Sequence, residues 1–511
     1  MDPILLRWTR TPAHFRVREM RNERLFAVVS LMLGAFAFAV VLAYHRVVDG
    51  DLWARLAVGA HVWKTGTVMR HDPFAFTPTL PRWTDHEWGA GVVFFALLNW
   101  FGPMSLMIFK IVAALGALAV CIAASRANGT NWANLLVLAM PSALAVLPGY
   151  VPVVRSHVLT YGCFAATLWW LELMRGGRRW PSFAIVVLML VWANVHGGFV
   201  VGLVAIAVYA AWLGTRVALA TWLAALAATC VNPYGPGYWT YLVPAWLHPR
   251  ADIAEWGRMA VWGIEPYFGF RLLFVIVLGG IALGWRRRTW GGLVMLALTA
   301  AAGWLHRRHA PFFGLAALVY AGPYLNRPRL RIEAVAVAYV VIAAAVAWWF
   351  LPQAALEPAV PATFYPIRAV DILEAAHAEG NLAVPFRWGS YALWRLAPRI
   401  KVSMDGRYEE TYPDETFEEN HAFFYKDGAN WDELLRRYRV NFVILDLRTT
   451  RLQPDDLLSR GYEQVWSDDT STLFARRGLA PELRATAANL PPTTREPLDP
   501  YLADRWLPGS P

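Results

Sequence analysis

A series of apolar runs punctuates this sequence, and their lengths leave few folds open to it. They fall at about 25–44, 104–125, 132–150, 157–174, 181–196, 198–214, 217–231, 269–285, 290–305, 309–325 and 332–351. A helix that crosses a membrane needs about 20 predominantly apolar residues, so most of these runs qualify and several are short. A further stretch at 88–101 is shorter and rich in aromatics. Composition agrees with membrane insertion: 57% of the 511 residues are hydrophobic and 16% are charged, against about 25% charged in soluble domains. Charges are costly in hydrocarbon, and the 27 tryptophans suit the membrane–water boundary. The net charge of +10 does not point to nucleic acid, because the basic residues lie largely in short connectors between apolar runs, which is the positive-inside pattern. Cys121, Cys163 and Cys230 all sit inside apolar runs, which argues against a disulfide framework and gives a Cys metal site no support.

Orientation follows from parity. The first run comes after a basic arm carrying Arg7, Arg10, Arg16, Arg18, Arg21 and Arg24. It ends in Tyr44-His45-Arg46, without small residues for cleavage, and reads as a retained first helix rather than a signal peptide. If that arm is cytoplasmic, the arginine-dense connectors at 175–179, 286–288 and 327–331 should be cytoplasmic as well. An even number of crossings must then separate residues 24 and 175. Counting 88–101 as a span breaks that rule; laying it along the outer membrane surface as an interfacial helix restores it. The expected architecture is a polytopic α-helical membrane protein with about eleven spans. It comprises a cytoplasmic arm (1–24), a membrane domain (25–351) with a first outer loop at 45–103, and a small extracytoplasmic α/β domain (352–478). A Pro-rich tail (479–511), extended or loosely attached, follows. In the α/β domain, patterning predicts helices at 366–379, 414–426 and 431–438 and strands at 381–385, 401–404, 442–447 and 472–475.

Parity also gathers the polar motifs on one side. The first outer loop holds Val48-Asp49-Gly50-Asp51-Leu52-Trp53, then His71-Asp72-Pro73, then Trp83-Thr84-Asp85-His86-Glu87-Trp88. A carboxylate near the membrane interface and screened by indoles can act as a general base, because partial desolvation raises its pKa. Such acids could instead hold a divalent cation through hard oxygen ligands, with Asp51, Asp85 and Glu87 the candidates, or merely cap short helices in a solvated loop. Other outer connectors carry Arg155-Ser156-His157, Asn194-Val195-His196-Gly197-Gly198, Asn232-Pro233-Tyr234-Gly235, Glu255-Trp256, Glu265 and Arg307-Arg308-His309. The last runs against the positive-inside trend. A phosphate ligand would account for it, because arginine forms forked hydrogen bonds to phosphate oxygens; headgroup contact or pairing with a loop acid would do so equally. Acids in one loop and arginines in others suit a hydroxyl that attacks a sugar whose leaving group is a phosphate.

These residues resemble the GT-C membrane glycosyltransferases, especially the bacterial protein-mannosyltransferase-like group. More closely, Asp49-Gly50-Asp51-Leu52-Trp53, His71-Asp72-Pro73-Phe74, His86-Glu87-Trp88, Trp192-Ala193-Asn194-Val195-His196-Gly197-Gly198 and Asn232-Pro233-Tyr234-Gly235 are similar to a family of bacterial multi-pass proteins. Trp388-Gly389-Ser390-Tyr391 and Asp405-Gly406-Arg407-Tyr408 extend that likeness into the outer domain. The resemblance implies a polyprenyl-phosphate-linked sugar as donor and a base role for Asp49 or Asp51, Asp49 first. Many of the mannosyltransferase-like enzymes have adjacent Asp-Glu in this loop, whereas Gly50 separates two aspartates here.

The resulting expectation is a cell-membrane glycosyltransferase, hexosyl or pentosyl, acting on the outer face on a glycan, lipid or protein acceptor of the envelope. Its substrate-binding residues would be His71, Asp72, Asp85, His86, Glu87, Arg155, His157, Asn194, His196, Arg307, Arg308 and His309. Two other readings fit the same layout. One is a non-catalytic envelope assembly or binding protein that works through its outer domain. The other is a lipid or solute transporter, which the scarcity of charges at mid-span disfavours; Lys110 and Glu172 lie near run ends.

Overall fold

The structure is a computed structural model that describes residues 13–151, 153–247, 253–262, 266–287, 289–325, 331–491 and 497–498. Glu265, Arg288, the connector residues 326–330 and the tail beyond 498 lie outside the described residues. Each apolar run is helical, and Gly50–Thr65 and Gly237–Leu247 form further helices between runs. In chain order these are α1 (Ala13–Tyr44), α2 (Gly50–Thr65), α3 (Trp88–Phe101), α4 (Met104–Ala127), α5 (Trp132–Val146), α6 (His157–Arg175), α7 (Trp180–Val195) and α8 (Phe199–Leu213). They are followed by α9 (Arg216–Ala228), α10 (Gly237–Leu247), α11 (Phe268–Gly284), α12 (Trp290–Leu305), α13 (Ala310–Tyr320), α14 (Gly322–Leu325) and α15 (Ile332–Phe350).

Among the described residues, 4 helical stretches are long and apolar enough to cross a membrane: Asn22–Tyr44, Met104–Ala127, Trp132–Tyr150 and Ile332–Gln353. The other expected spans are shorter or more polar helices, so the architecture stands as a multi-pass membrane protein without a fixed number of crossings. One reason for short helices is visible in α13, which is buried along its whole length. Neighbouring α4, α5, α6, α11 and α12 surround it, so its backbone is shielded from lipid by protein. The two charges near run ends are engaged locally. Lys110 Nζ donates to the His45 carbonyl at 2.6 Å, just past α1, and Glu172 pairs with Arg175 Nε at 2.8 Å and with the Tyr209 hydroxyl.

The chain after residue 351 contributes α16 (Ile367–Ala375), β1 (Gly380–Ala383), α17 (Phe386–Leu396), β2 (Ile400–Val402), α18 (Tyr408–Thr411), α19 (Asp414–Tyr425) and α20 (Glu433–Arg437). It continues with β3 (Phe442–Asp446), α21 (Pro454–Leu458), β4 (Tyr462–Ser467), β5 (Ser471–Arg476) and α22 (Ala480–Asn489). The sheet order is β2-β1-β3-β5-β4, with β1 parallel to β2 and β3, and β5 antiparallel to β3 and β4. The four expected strands are β1, β2, β3 and β5. The strand that patterning missed, β4, is an edge strand in which only Tyr462 is buried, so it lacks the apolar signal of its neighbours. Residues 480–489 correct the expectation of an extended tail. Pro481 falls in the first turn of α22, where its missing N–H has no helical partner to lose. Leu483 and Ala487 are buried beneath that helix, and Trp394 Nε1 donates to the Pro497 carbonyl at 3.0 Å.

The first loop joins the two halves. Leu52, Trp53 and Leu56 of α2 are fully buried in one apolar core with Tyr365, Trp388 and Tyr391. Burying each such side chain is worth about 1.5–3 kcal/mol. On its other side α2 crosses α3 so closely that a Cβ on Gly59 would stand 2.0 Å from the Gly91 carbonyl oxygen. α3 in turn packs on α4 and α7. The α2–α3 pair therefore forms a layer between the sheet and the long helices, and the polar motifs lie at its edge.

Candidate active site

Asp49 and Asp51 sit where α2 begins. Asp49 is its N-cap, with an extended backbone (φ −86°, ψ 151°) and a side chain that accepts from the Asp51 N–H at 3.0 Å. Both Asp49 oxygens also receive the fork of Arg155, Nε to Oδ1 at 2.9 Å and Nη2 to Oδ2 at 3.0 Å. Arg155 Nη1 donates to Glu255 Oε2 at 3.0 Å, and its Nη2 lies 3.3 Å from Asp51 Oδ2. Asp49 is thus committed to a cap and a bidentate ion pair, whereas the Asp51 side chain is 48% exposed. Desolvation by the surrounding protein pushes the Asp51 carboxyl up to about 7; Arg155 opposes the rise, and Asp49, Glu255 and Glu87 reinforce it. The outer domain comes down over this carboxylate at Gly406, where a Cβ would stand 3.4 Å from Asp51 Oδ1.

Beside the aspartates is a cavity lined by Arg155, His157, Tyr161, Glu255, Arg307 and Arg308. It adjoins a wider recess of about 410 Å³, which Arg155, Glu255 and Arg307 also line. Arg308 lies 4.4 Å over the Trp256 ring, reaches Glu255 Oε1 at 3.7 Å and hydrogen-bonds His157 Nε2. A guanidinium only donates, so that His157 nitrogen is the acceptor. Arg307 Nε donates to the Arg258 carbonyl at 2.9 Å. Arginines from two connectors distant in sequence therefore share one cavity with Glu255.

A second cluster surrounds Arg55 of α2, which is buried and pairs with Asp85, with Glu87 at 3.6 Å and with Glu410 at 3.6 Å. His86 Nδ1 lies 3.2 Å from Glu410 Oε1. His196, which caps α7, accepts the Gly198 N–H on Nδ1 at 2.8 Å. Its ring proton is then on Nε2, 3.3 Å from Glu87 Oε1. Burial lowers the His196 pKa to about 3 against the pull of Glu87, so the ring is neutral. For Glu87, burial favours the neutral acid, but His86 and Arg55 outweigh it and hold its pKa well below the usual carboxylate range. The His157 and His196 rings, 4.6 Å apart, link this cluster to the first.

Four expected substrate residues stand apart from these clusters. Asp72 accepts from the Phe74 and Ala75 N–H groups at 3.1 and 2.7 Å and from Arg407 Nη1 at 2.5 Å. Arg407 is bidentate to Asp405 as well, 2.7 and 2.5 Å, and its guanidinium lies over the Phe74 and Trp83 rings. Asp72 is therefore part of a sealed clamp between the first loop and the outer domain. Asn194 braces α7 by donating to the Leu190 and Val231 carbonyls, each at 2.8 Å. His71 is exposed. His309 faces Trp256 and His306, with ring centroids 6.1 and 5.6 Å away. Asp51, Asp85 and Glu87, the candidate cation ligands, are divided between Arg155 and Arg55. Among the described residues no group of three His, Cys, Asp or Glu side chains is arranged to hold a metal ion.

Arg55 and Glu410 escaped the sequence reading. The spacing Asp51–Arg55 is a helical i,i+4 pair and offered a signal, but only within a helix that the loop's polar motifs concealed. Glu410 reaches Arg55 and His86 through folding alone. Tyr234 was read as a turn residue, yet its hydroxyl accepts the Asp85 N–H at 2.9 Å.

No family model and no curated protein matches the sequence. Its fold is similar to that of several solved structures. The apo oligosaccharyltransferase of Archaeoglobus fulgidus aligns with a TM-score of 0.53 at 13% identity, over 88% of this chain and 74% of that one. ArnT from Cupriavidus metallidurans, solved with undecaprenyl phosphate bound, aligns with a TM-score of 0.51 at 14% identity, over 88% of this chain and 97% of that one. Identities this low speak to the fold alone, and the fold of this chain is similar to that of these two proteins.

Proposed function

We propose that this protein transfers a sugar from a polyprenyl-phosphate donor to an acceptor of the cell envelope, on the extracytoplasmic face of the inner membrane. The observation that carries the reading is the half-open Asp51, with a pKa near 7, beside a cavity lined by arginines. Asp51 is the base in preference to Asp49, whose two oxygens are both held by Arg155. A general base works best when its pKa lies near the working pH. The acceptor hydroxyl gives its proton to Asp51 as its oxygen forms a bond to the anomeric carbon. The bond from that carbon to the phosphate oxygen breaks, and the polyprenyl phosphate leaves with the electron pair. Arg155, Arg307 and Arg308 offset the charge that develops on it. The Arg55 cluster positions the base from below by fixing α2 against the loop that precedes α3. The GT-C fold, and a polyprenyl phosphate bound in one protein that shares it, support this reading. The cytoplasmic N-terminus and outer C-terminal domain belong to the same proposal.

The test is turnover by purified protein in liposomes with an undecaprenyl-phosphate-linked sugar and envelope extract, reading the glycosidic product. Asp51→Asn should remove turnover while Asp49→Asn, which keeps the helix cap, retains part of it. Full turnover by Asp51→Asn would end the base assignment; movement of the donor across the bilayer without any glycosidic product would favour transport.

A further inference from the structure

Glu255 sits where an incoming phosphate would have to bind. Its Oε2 accepts from Arg155 Nη1 at 3.0 Å, and its Oε1 lies 3.7 Å from Arg308 Nη1. The carboxylate thus presents its two oxygens to two different guanidiniums, as two oxygens of a phosphate would. The rest of Arg155 is taken. Its Nε and Nη2 both donate to Asp49, and Nη2 is also 3.3 Å from Asp51. A phosphate that engages both arginines therefore meets Glu255 at the same nitrogens, and two anions in that space repel each other.

Both arginines have a second hold that does not involve Glu255. Arg155 is forked onto Asp49. Arg308 lies 4.4 Å over the Trp256 ring, a cation–π contact, and hydrogen-bonds His157 Nε2. The backbone that carries Glu255 is fixed as well. It belongs to a short turn, Ala254–Trp256, whose Trp256 carbonyl accepts from His306 Nδ1 at 2.7 Å. The next carbonyl, of Gly257, accepts the Arg307 N–H at 3.1 Å. The Glu255 side chain differs from these anchored groups: it is 32% exposed and lines both the cavity and the wider recess beside it. Rotation about its side-chain bonds can carry the carboxylate off the arginines and into that recess, where water solvates it, with no movement of the turn.

We infer that Glu255 is a placeholder for the carrier phosphate. It balances Arg155 and Arg308 in the empty site, gives way to the phosphate when the donor arrives, and competes with the spent polyprenyl phosphate for its seat after transfer. This rests on the reading that the cavity takes the carrier's phosphate. The probes are undecaprenyl phosphate, inorganic phosphate and undecaprenol. Each is titrated into the full-length protein in dodecyl maltoside micelles, which hold no phosphate of their own, and binding is read by microscale thermophoresis. Glu255→Gln keeps the side-chain length and removes the charge. It should bind undecaprenyl phosphate about tenfold more tightly than the unaltered protein does, with undecaprenol unchanged. Cryo-electron microscopy of the unaltered protein with undecaprenyl phosphate should find the phosphate on Arg155 and Arg308 and the Glu255 carboxylate withdrawn from both. Equal or weaker binding by Glu255→Gln, a gain for inorganic phosphate alone, or a Glu255 that stays on both arginines beside the bound phosphate would overturn the placeholder and leave the donor reading standing. Equal binding of undecaprenyl phosphate and undecaprenol in both proteins would remove the donor reading, and the placeholder with it.

Discussion

Two of the carboxylate–arginine clusters to which the first loop contributes have the same chemistry and opposite characters. At Asp72–Arg407–Asp405 every charged oxygen has a donor, and the side chains are 0–1% exposed. At Asp49–Asp51–Arg155 the components are 21% exposed for Asp49 and Arg155 and 48% for Asp51. The sealed cluster holds two parts of the chain together. The open one leaves a carboxylate with one oxygen near a cation and its other side available. Residue type does not separate structural from chemical roles here; burial and the satisfaction of hydrogen bonds do.

Several measurements would break or sharpen that contrast. The largest effect is expected in the open cluster. Asp51→Asn should cut kcat by about 100- to 10,000-fold, the usual weight of a general base, with an unchanged melting curve. In the sealed cluster the effects should be reversed. Arg407→Met strands Asp72 and Asp405 and should cost about 3–5 kcal/mol of stability, read by chemical denaturation, while the molecules that remain folded keep their turnover. If Arg407→Met left stability intact and removed activity, the division between the clusters would be wrong.

The pH profile gives a smaller but more specific signal. Because Asp51 must be ionised to accept a proton and its pKa is about 7, kcat should rise with pH through a midpoint near 7 and then level off. A base with an ordinary carboxylate pKa would leave the rate flat over that range. Arg308→Lys should raise the donor KM about tenfold with little change in kcat, since lysine keeps the charge but not the planar fork. The smallest effect belongs to exposed His71. His71→Ala should change stability by no more than about 0.5 kcal/mol and leave donor KM unaltered; a clear rise in KM would return it to the site.

Much of this arrangement is legible in the sequence. The apolar runs give the helices because their length and the cost of charge in hydrocarbon admit little else. The loop motifs resemble the GT-C glycosyltransferases, and the fold is similar to that of two solved structures. Four strands of the outer sheet are visible from patterning, and parity collects Asp49, Asp51, Arg155, Glu255 and Arg308 on one side before any contact between them is known. The α2 helix is less visible, because its capping aspartate and buried Arg55 look in sequence like the polar groups of a solvated loop. The helix at 480–489 is hidden by a proline that reads as a breaker unless its place in the first turn is known.

What the sequence by itself determined is the class of molecule, a multi-pass membrane protein, since that depends on sums over many residues: hydrophobic length and the scarcity of charge. Only the tertiary structure decided what each carboxylate does. Asp49 is held by Arg155, 106 positions away, and Asp72 by Arg407, 335 positions away, while Asp51 keeps an open side. Such pairings depend on which surfaces meet in the folded chain, and a local sequence pattern carries no record of a partner that distant.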